Sequence, residues 1–164
     1  MNRIKFVNEP SDLVAVLRAV DTDIKKKIFQ ELSQDWKTTS EIVEKYGRKG
    51  KDALSFFEKM KLVETRWEQK EGGSEKAYHT YYSSFHINTT GPILEISEIL
   101  HVATMSDKKF REIEKKIIDM VGKNGVFIGD VAEKLDISQT MLRSIIKRSS
   151  VLEYRGHTIE LVKD

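Results

Sequence analysis

Apolar residues return along the chain with two periods, and the switches between those periods mark its elements. Residues 1–10 read as an arm or edge segment ending at Pro10, after which Ser11 caps a first helix. Leu13, Val16, Leu17 and Val20 recur there at i, i+3, i+4 and i+7, the spacing of one buried helical stripe. Ile24, Ile28, Phe29 and Leu32 repeat that spacing behind a cap at Asp21 or Thr22. Thr38-Thr39-Ser40-Glu41 has the capping-box pattern and opens a short third helix burying Ile42, Val43 and Tyr46. Gly47 suits a left-handed stop to it. Residues 46–63 then predict a basic loop, a short helix and the start of a strand. At ~100° per residue, Ala53, Leu54, Phe56, Phe57 and Met60 share one side of that helix. Lys51, Asp52, Ser55, Glu58 and Lys59 share the other. The period then drops toward two: strands are expected over 62–69 and 77–87, on either side of a long, charged tip at 70–76.

Asn88-Thr89-Thr90-Gly91-Pro92 breaks the chain, with Pro92 placed for the first turn of a helix that carries Ile93, Ile96, Ile99, Leu100 and Ala103. A helix from Ser106 turns Phe110, Ile113, Ile117, Met120 and Val121 inward. A short helix follows over 130–135, then one from Ser138 to about Arg148, and a closing hairpin turns at Gly156-His157. The two halves overlay without a gap at an offset of 89 residues: Glu41-Ile42-Val43-Glu44-Lys45 meets Asp130-Val131-Ala132-Glu133-Lys134, and Leu62-Val63-Glu64 meets Val151-Leu152-Glu153. Helices followed by a hairpin, twice, predict a mainly α protein with small β wings. Two winged helix-turn-helix units in tandem, joined by a helix, are expected. The expected division is 1–90, a connecting and dimerisation helix at 91–105, and 106–164.

Composition narrows the function. The chain has 164 residues, 33% charged and 39% hydrophobic, with a net charge of only +2, so a nucleic-acid footprint has to be a local patch. It has no cysteine, which removes disulfides, thiolate metal sites and cysteine nucleophiles. No run approaches the ~18 apolar residues of a membrane span, and no secretory leader opens the chain. A soluble, cytoplasmic protein is expected.

A winged helix binds duplex DNA by setting the start of its third helix in the major groove and reaching out with its wing. Phosphate contacts need cations and hydroxyls, and base readout needs forked or bidentate donors. Arg48, Lys49, Lys51 and Ser55 fit that role in the first unit, with Arg66, Lys70 and Lys76 on its wing. Ser138, Gln139, Thr140, Arg143 and Lys147 fit it in the second, where Thr140, Arg143, Ser144, Lys147 and Arg148 are expected to face outward. Charge on a helix's outer side is by itself only a solvated face, and Asp52 and Glu58 dilute this one. Position at the helix entrance is what points to DNA. Glu95, Glu98 and His101 recur every three residues and could share a ligand site, but such helical spacing is common by chance and a plain surface stripe is the favoured reading. His79 and His86 read as packing or rim groups. No nucleophile–base–acid set, phosphate-cradling loop or zinc-peptidase motif is present, so neither an enzyme nor a bound cofactor is expected.

Residues 11–87 resemble the ArsR-like winged-helix regulators. Phe57-Glu58-Lys59-Met60-Lys61-Leu62-Val63-Glu64 matches the end of their recognition helix, where a pattern such as Leu-Glu-x-Ala-Gly-Leu-Val is common; here Lys61 replaces the glycine. Lys-Asp-Ala before Leu54 departs from the common Ser-x-His. Residues 78–87 and the 91–105 helix are similar to archaeal members, among them regulators of archaellum (motility) operons. The resemblance implies a promoter-binding transcription regulator whose segments 11–20 and 92–104 form a homodimer; the basal transcription machinery is a candidate further partner that the sequence itself does not specify. It does not imply thiolate metal sensing in a chain without cysteine. Tandem winged helices also serve as protein–protein adaptors, and the near-neutral charge keeps that alternative open.

Overall fold

Side-chain caps set where the helices begin. In the computed structural model, which describes residues 2–163, the chain runs β1 (Ile4–Val7), α1 (Asp12–Ala19), α2 (Asp23–Gln34), β2 (Lys37–Thr38), α3 (Thr39–Lys59), β3 (Val63–Lys70), β4 (Gly73–Thr80) and β5 (Ser84–Ile87). It continues with α4 (Ile93–Thr104), α5 (Asp107–Met120), β6 (Val126–Phe127), α6 (Ile128–Leu135), α7 (Gln139–Arg148), β7 (Leu152–Arg155) and β8 (Thr158–Leu161). Thr22, Thr38, Ser106 and Ser138 each accept a backbone N–H of the first turn they cap. Thr38 and Glu41 form the full capping box, satisfying two donors that a bare helix start leaves unpaired. The protein is mainly helical, with small antiparallel sheets.

Contacts cluster the chain into two units, one of residues 2–6 and 19–87, the other of 7–18 and 88–163. The first has a core of Ile28, Leu32, Ile42, Leu54, Phe57 and Leu62. Phe57 is fully buried and meets Phe29 edge-on at 5.5 Å. The second is built on Ile99, Val102, Ile117, Leu142, Ile145 and Leu152, with Val14 of α1 among them. Sheet order is β2-β4-β3 in the first unit and β6-β8-β7 in the second. The offset of 89 holds in the elements themselves, carrying β2 onto β6 and the start of β3 onto the start of β7. Gly47 and Asp136, related by the same offset, both take a positive φ, 63° and 52°.

Several local expectations need correction. There is no basic loop before the fourth helix: backbone turns at Gly47 (φ 63°, ψ −149°) and resumes helix at once, so Arg48 and Lys49 lie in its first turn. The wing tip is a tight two-residue turn, because Lys70 pairs with Gly73 in register. The expected strand over 77–87 is two strands, since after Thr80 the chain leaves β3. The Ser83 N–H donates to the Arg3 carbonyl at 2.9 Å, and β5 pairs with β1 instead. In α1 the buried residues are Val14, Ala15 and Ala19, while Leu17 and Val20 are 49% and 36% exposed. Residues 13–17 are apolar without interruption, so periodicity could not select the face. Ser144 and Arg148 are buried rather than outward.

Lys61 sits in the left-handed region (φ 56°), closing α3 with its N–H on the Glu58 carbonyl. That conformation explains why a glycine suits this position, and Lys61→Gly should stabilise the protein by about 1 kcal/mol. Gly50 is the opposite case. A Cβ there would lie 2.9 Å from Ile42 Cγ2 and 2.9 Å from Tyr46 Cβ. Gly50→Ala should therefore lower stability by about 1–3 kcal/mol, whereas Gly72→Ala, with nothing within 4 Å, should stay within about 0.5 kcal/mol. Urea midpoints of the three variants against the parent decide both points.

Candidate nucleic-acid interface

The second half of α3 begins at Arg48 and is anchored on one side only. Gly50, Ala53, Leu54, Phe56 and Phe57 are buried, which leaves Arg48, Lys49, Lys51, Asp52 and Ser55 exposed. The crossing at Gly50 fixes that orientation by bringing the first turn down onto Ile42 and Tyr46. Among the described residues no ion pair ties Arg48, Lys49 or Lys51 to a carboxylate. Three cations therefore project from the first turn of a helix that cannot rotate without unpacking two phenylalanines. Mutual repulsion in such a cluster is relieved by an anion, and the start of a helix adds its own positive pole.

The first half of α3 is held from two directions. Glu31 of α2 accepts from Lys45 Nζ at 2.5 Å and from the Tyr46 hydroxyl. Glu75 of β4 accepts from the Ser40 N–H at 2.5 Å and from its hydroxyl at 2.8 Å. The wing is thereby braced to the helix start. Burial pushes the Glu31 carboxyl up, but the bonds from Lys45 and Tyr46 outweigh it and hold it below the usual carboxylate range. The Thr38 backbone N–H holds Glu41 low, and the Ser40 hydroxyl does the same for Glu75.

The wing cations expected to reach DNA are engaged within the unit. Lys76 Nζ lies 2.7 Å from Glu58 Oε1, which neutralises one of the two acids on the outer side of this helix and leaves Asp52 as the other. Lys70 Nζ is 3.9 Å from Glu41. Arg66 bonds Glu68 through two nitrogens, at 2.9 and 2.6 Å, and lies 4.1 Å above the Trp36 ring, which also packs against His79. Trp67 was not anticipated. It stands 68% exposed on β3, a large ring on a strand that is polar after the buried Val63, and that contrast is visible in the sequence.

In the second unit the candidate residues separate. Gln139 and Arg143 are exposed and Thr140 is half-buried. Ser138 caps α7 and donates to Glu98 at 2.8 Å, while Lys147 pairs with Asp12 at 2.8 Å. Glu98 is thus occupied, and among the described residues no group of three His, Asp or Glu is placed to hold a metal. His86 packs on Phe6 at 5.3 Å. On α4, Ile93 and Leu94 are 87% and 81% exposed, and Leu100 is 44% exposed. No helix among the described residues is long and apolar enough to cross a membrane.

The family model described as the ArsR transcriptional regulator matches residues 7–163, nearly the whole chain. No curated protein matches it.

The low carboxyl values give stability a pH dependence. Because the fold favours the ionised forms of Glu31, Glu41 and Glu75, the unfolded chain binds more protons once pH falls below its own carboxylate range. Their contribution is complete above that range and is lost as pH drops through the depressed folded-state values, below about pH 5. The urea midpoint of the parent should fall steeply on that limb, and Glu31→Gln should make the fall shallower. An acid limb identical in parent and variant would remove Glu31 from this account.

Proposed function

The chain belongs to the ArsR family of DNA-binding transcription regulators, and from that premise we propose that it binds promoter DNA through the first unit. Arg48, Lys49 and Lys51 meet the phosphates at the edge of a major groove, and Ser55 follows further along the helix. Arg66, Lys70 and Lys76, with Trp67, form the wing contact once their intramolecular partners exchange for the backbone. The observation that carries this reading is the exposed, unpaired cation triad on the first turn of a helix buried on its other side. Both units are taken as winged helix-turn-helix modules in tandem. Their common sheet order and constant offset support that reading. In it the reader lies within 1–90, the dimerisation helix spans 91–105 and the second unit is 106–164. The likeness of residues 78–105 to archaeal regulators extends the proposal to an archaeal, cytoplasmic protein acting on motility promoters.

The dimer rests on α1 and α4. Ile93, Leu94 and Leu100 of α4 and Leu17 of α1 leave apolar side chains in water. A two-fold axis would pair such a patch with its own copy.

Two measurements test the proposal. Anisotropy of a labelled duplex of mixed sequence, titrated across salt, should show affinity falling steeply, because each neutralised phosphate contributes a slope of about −0.9. Alanine at Arg48, Lys49 and Lys51 together should make the slope less negative by about 2–3. If the triple variant binds like the parent, or neither binds duplex, the protein–protein adaptor reading takes its place. Sedimentation at micromolar concentration should give a dimer for the parent and a monomer for Ile93→Glu/Leu94→Glu; a monomeric parent refutes the dimer.

A further inference from the structure

The offset that relates the units allows their reading helices to be compared position by position. Arg48, Lys49, Lys51, Asp52 and Ser55, with half-buried Glu58 and Lys59, form the outer side of α3. Their counterparts 89 residues on are Ile137 and the exposed cap Ser138, just before α7, and Thr140, Met141, Ser144, Lys147 and Arg148 within it. Ser144 is fully buried and Arg148 is 5% exposed. Met141 packs against the core, and Lys147 is paired with Asp12 of α1. From Thr140 to Arg148 the side that is open in the first unit is therefore half-buried or buried in the second, with Lys147 held by α1 and Arg148 by the end of α4.

Arg148 is central to that closure. Its guanidinium donates to the Val102 carbonyl at 2.9 Å and to the Met105 carbonyl at 2.7 Å, both at the end of α4. It also donates to Asp107 Oδ1 at 2.8 Å, and its plane lies 4.4 Å over the Phe110 ring. Arg18 of α1 joins the same carboxylate oxygen at 3.0 Å. A cation at a helix C-terminus satisfies carbonyls that the helix itself leaves unpaired. On the apolar side, Ile99, Val102 and Ala103 of α4 pack with Leu142, Ile145 and Ile146 of α7. So α4 is apolar on two sides: one seated on α7, the other, with Ile93, Leu94 and Leu100, turned to water.

We propose that the second unit is not a second DNA reader but the seat of the dimerisation helix. The side of α7 that would face DNA is committed to α4, with Arg148 as the positioning residue. This rests on the DNA-binding and dimer reading above. A dimer then carries two readers, one per chain, and the exposed residues of α7, Gln139 and Arg143, take no part in binding. Loosening Arg148 acts on the dimer first and leaves each reader as it was.

The experiment has two arms. In the first, Gln139→Ala/Arg143→Ala is titrated with the mixed-sequence duplex across salt. Affinity should stay within twofold and the slope should not change; a slope less negative by about one, the signature of a lost phosphate contact, overturns the proposal. In the second, Asp107→Asn and Arg148→Met are compared with the parent by sedimentation equilibrium. Each is also titrated with a duplex of about one helical turn, too short for two half-sites. The dimer should weaken at least tenfold, with short-duplex affinity within twofold. Dimers of parental strength in both variants overturn the proposal. So does a short-duplex affinity that falls while the dimer holds. If circular dichroism shows Arg148→Met unfolded, Asp107→Asn, which keeps the side chain's shape, decides alone. A parent that binds no duplex sinks the DNA-binding function, while the sedimentation arm still decides the role of Arg148.

Discussion

Gly50 lets the two halves of α3 cross with almost no space between them, since even one methyl would meet Ile42 and Tyr46 at 2.9 Å. The orientation of everything downstream depends on that contact. It drives Leu54 and Phe57 into the core and leaves Arg48, Lys49 and Lys51 on the opposite side. The capping box at Thr38 and the paired bonds from Glu75 to Ser40 fix the first half of the helix. The second half therefore has a rigid body to cross. Burial of Phe57 and its neighbours contributes far more than any of these polar contacts, on the order of 3–5 kcal/mol for one phenylalanine. The polar contacts set direction rather than bulk stability. That separation suits the proposed DNA contact, because the cations of the triad are not needed for folding.

The second unit places the same elements in the same order, with the outer side of its last helix packed differently. Its helix α7 has the length and cap of a reading helix and a basic outer side in the sequence. Yet Arg148 is turned inward onto α4, where two carbonyls and Asp107 hold it. Burying a guanidinium is costly unless each donor finds a partner. Here the partners are helix-end carbonyls, which also need donors. Burial pushes the Asp107 carboxyl up, but the guanidiniums of Arg18 and Arg148 outweigh it and keep the carboxyl below its usual range. The cluster is therefore ionised wherever the protein is folded near neutrality.

Much of the fold was legible because its determinants are local. The caps at Thr22, Thr38, Ser106 and Ser138 and the apolar stripe from Ala53 to Met60 all lie within a few residues of what they specify, and the constant offset only repeats such local patterns in the second half. Features set by distant partners were not legible. The break between β4 and β5 depends on β1, some 80 residues away in the chain. The wing tip looked long because Lys70 and Lys76 read as loop charges, whereas cross-strand pairing draws both into strands. The exposed side of α1 was misassigned because its apolar run offers a buried face in every direction. In the candidate site, Arg48, Lys49, Lys51 and Ser55 were expected to be open and are. For α7 the same reasoning from a helical wheel missed the covering helix, since no wheel records what packs against it.

Amide hydrogen exchange of the full chain, with and without a mixed-sequence duplex, tests the central claim most directly. The account predicts slower exchange on DNA addition over residues 47–55 and along β3 and β4, with residues 139–148 unchanged. Protection that falls on α7 and spares the first turn after Gly47 would contradict it.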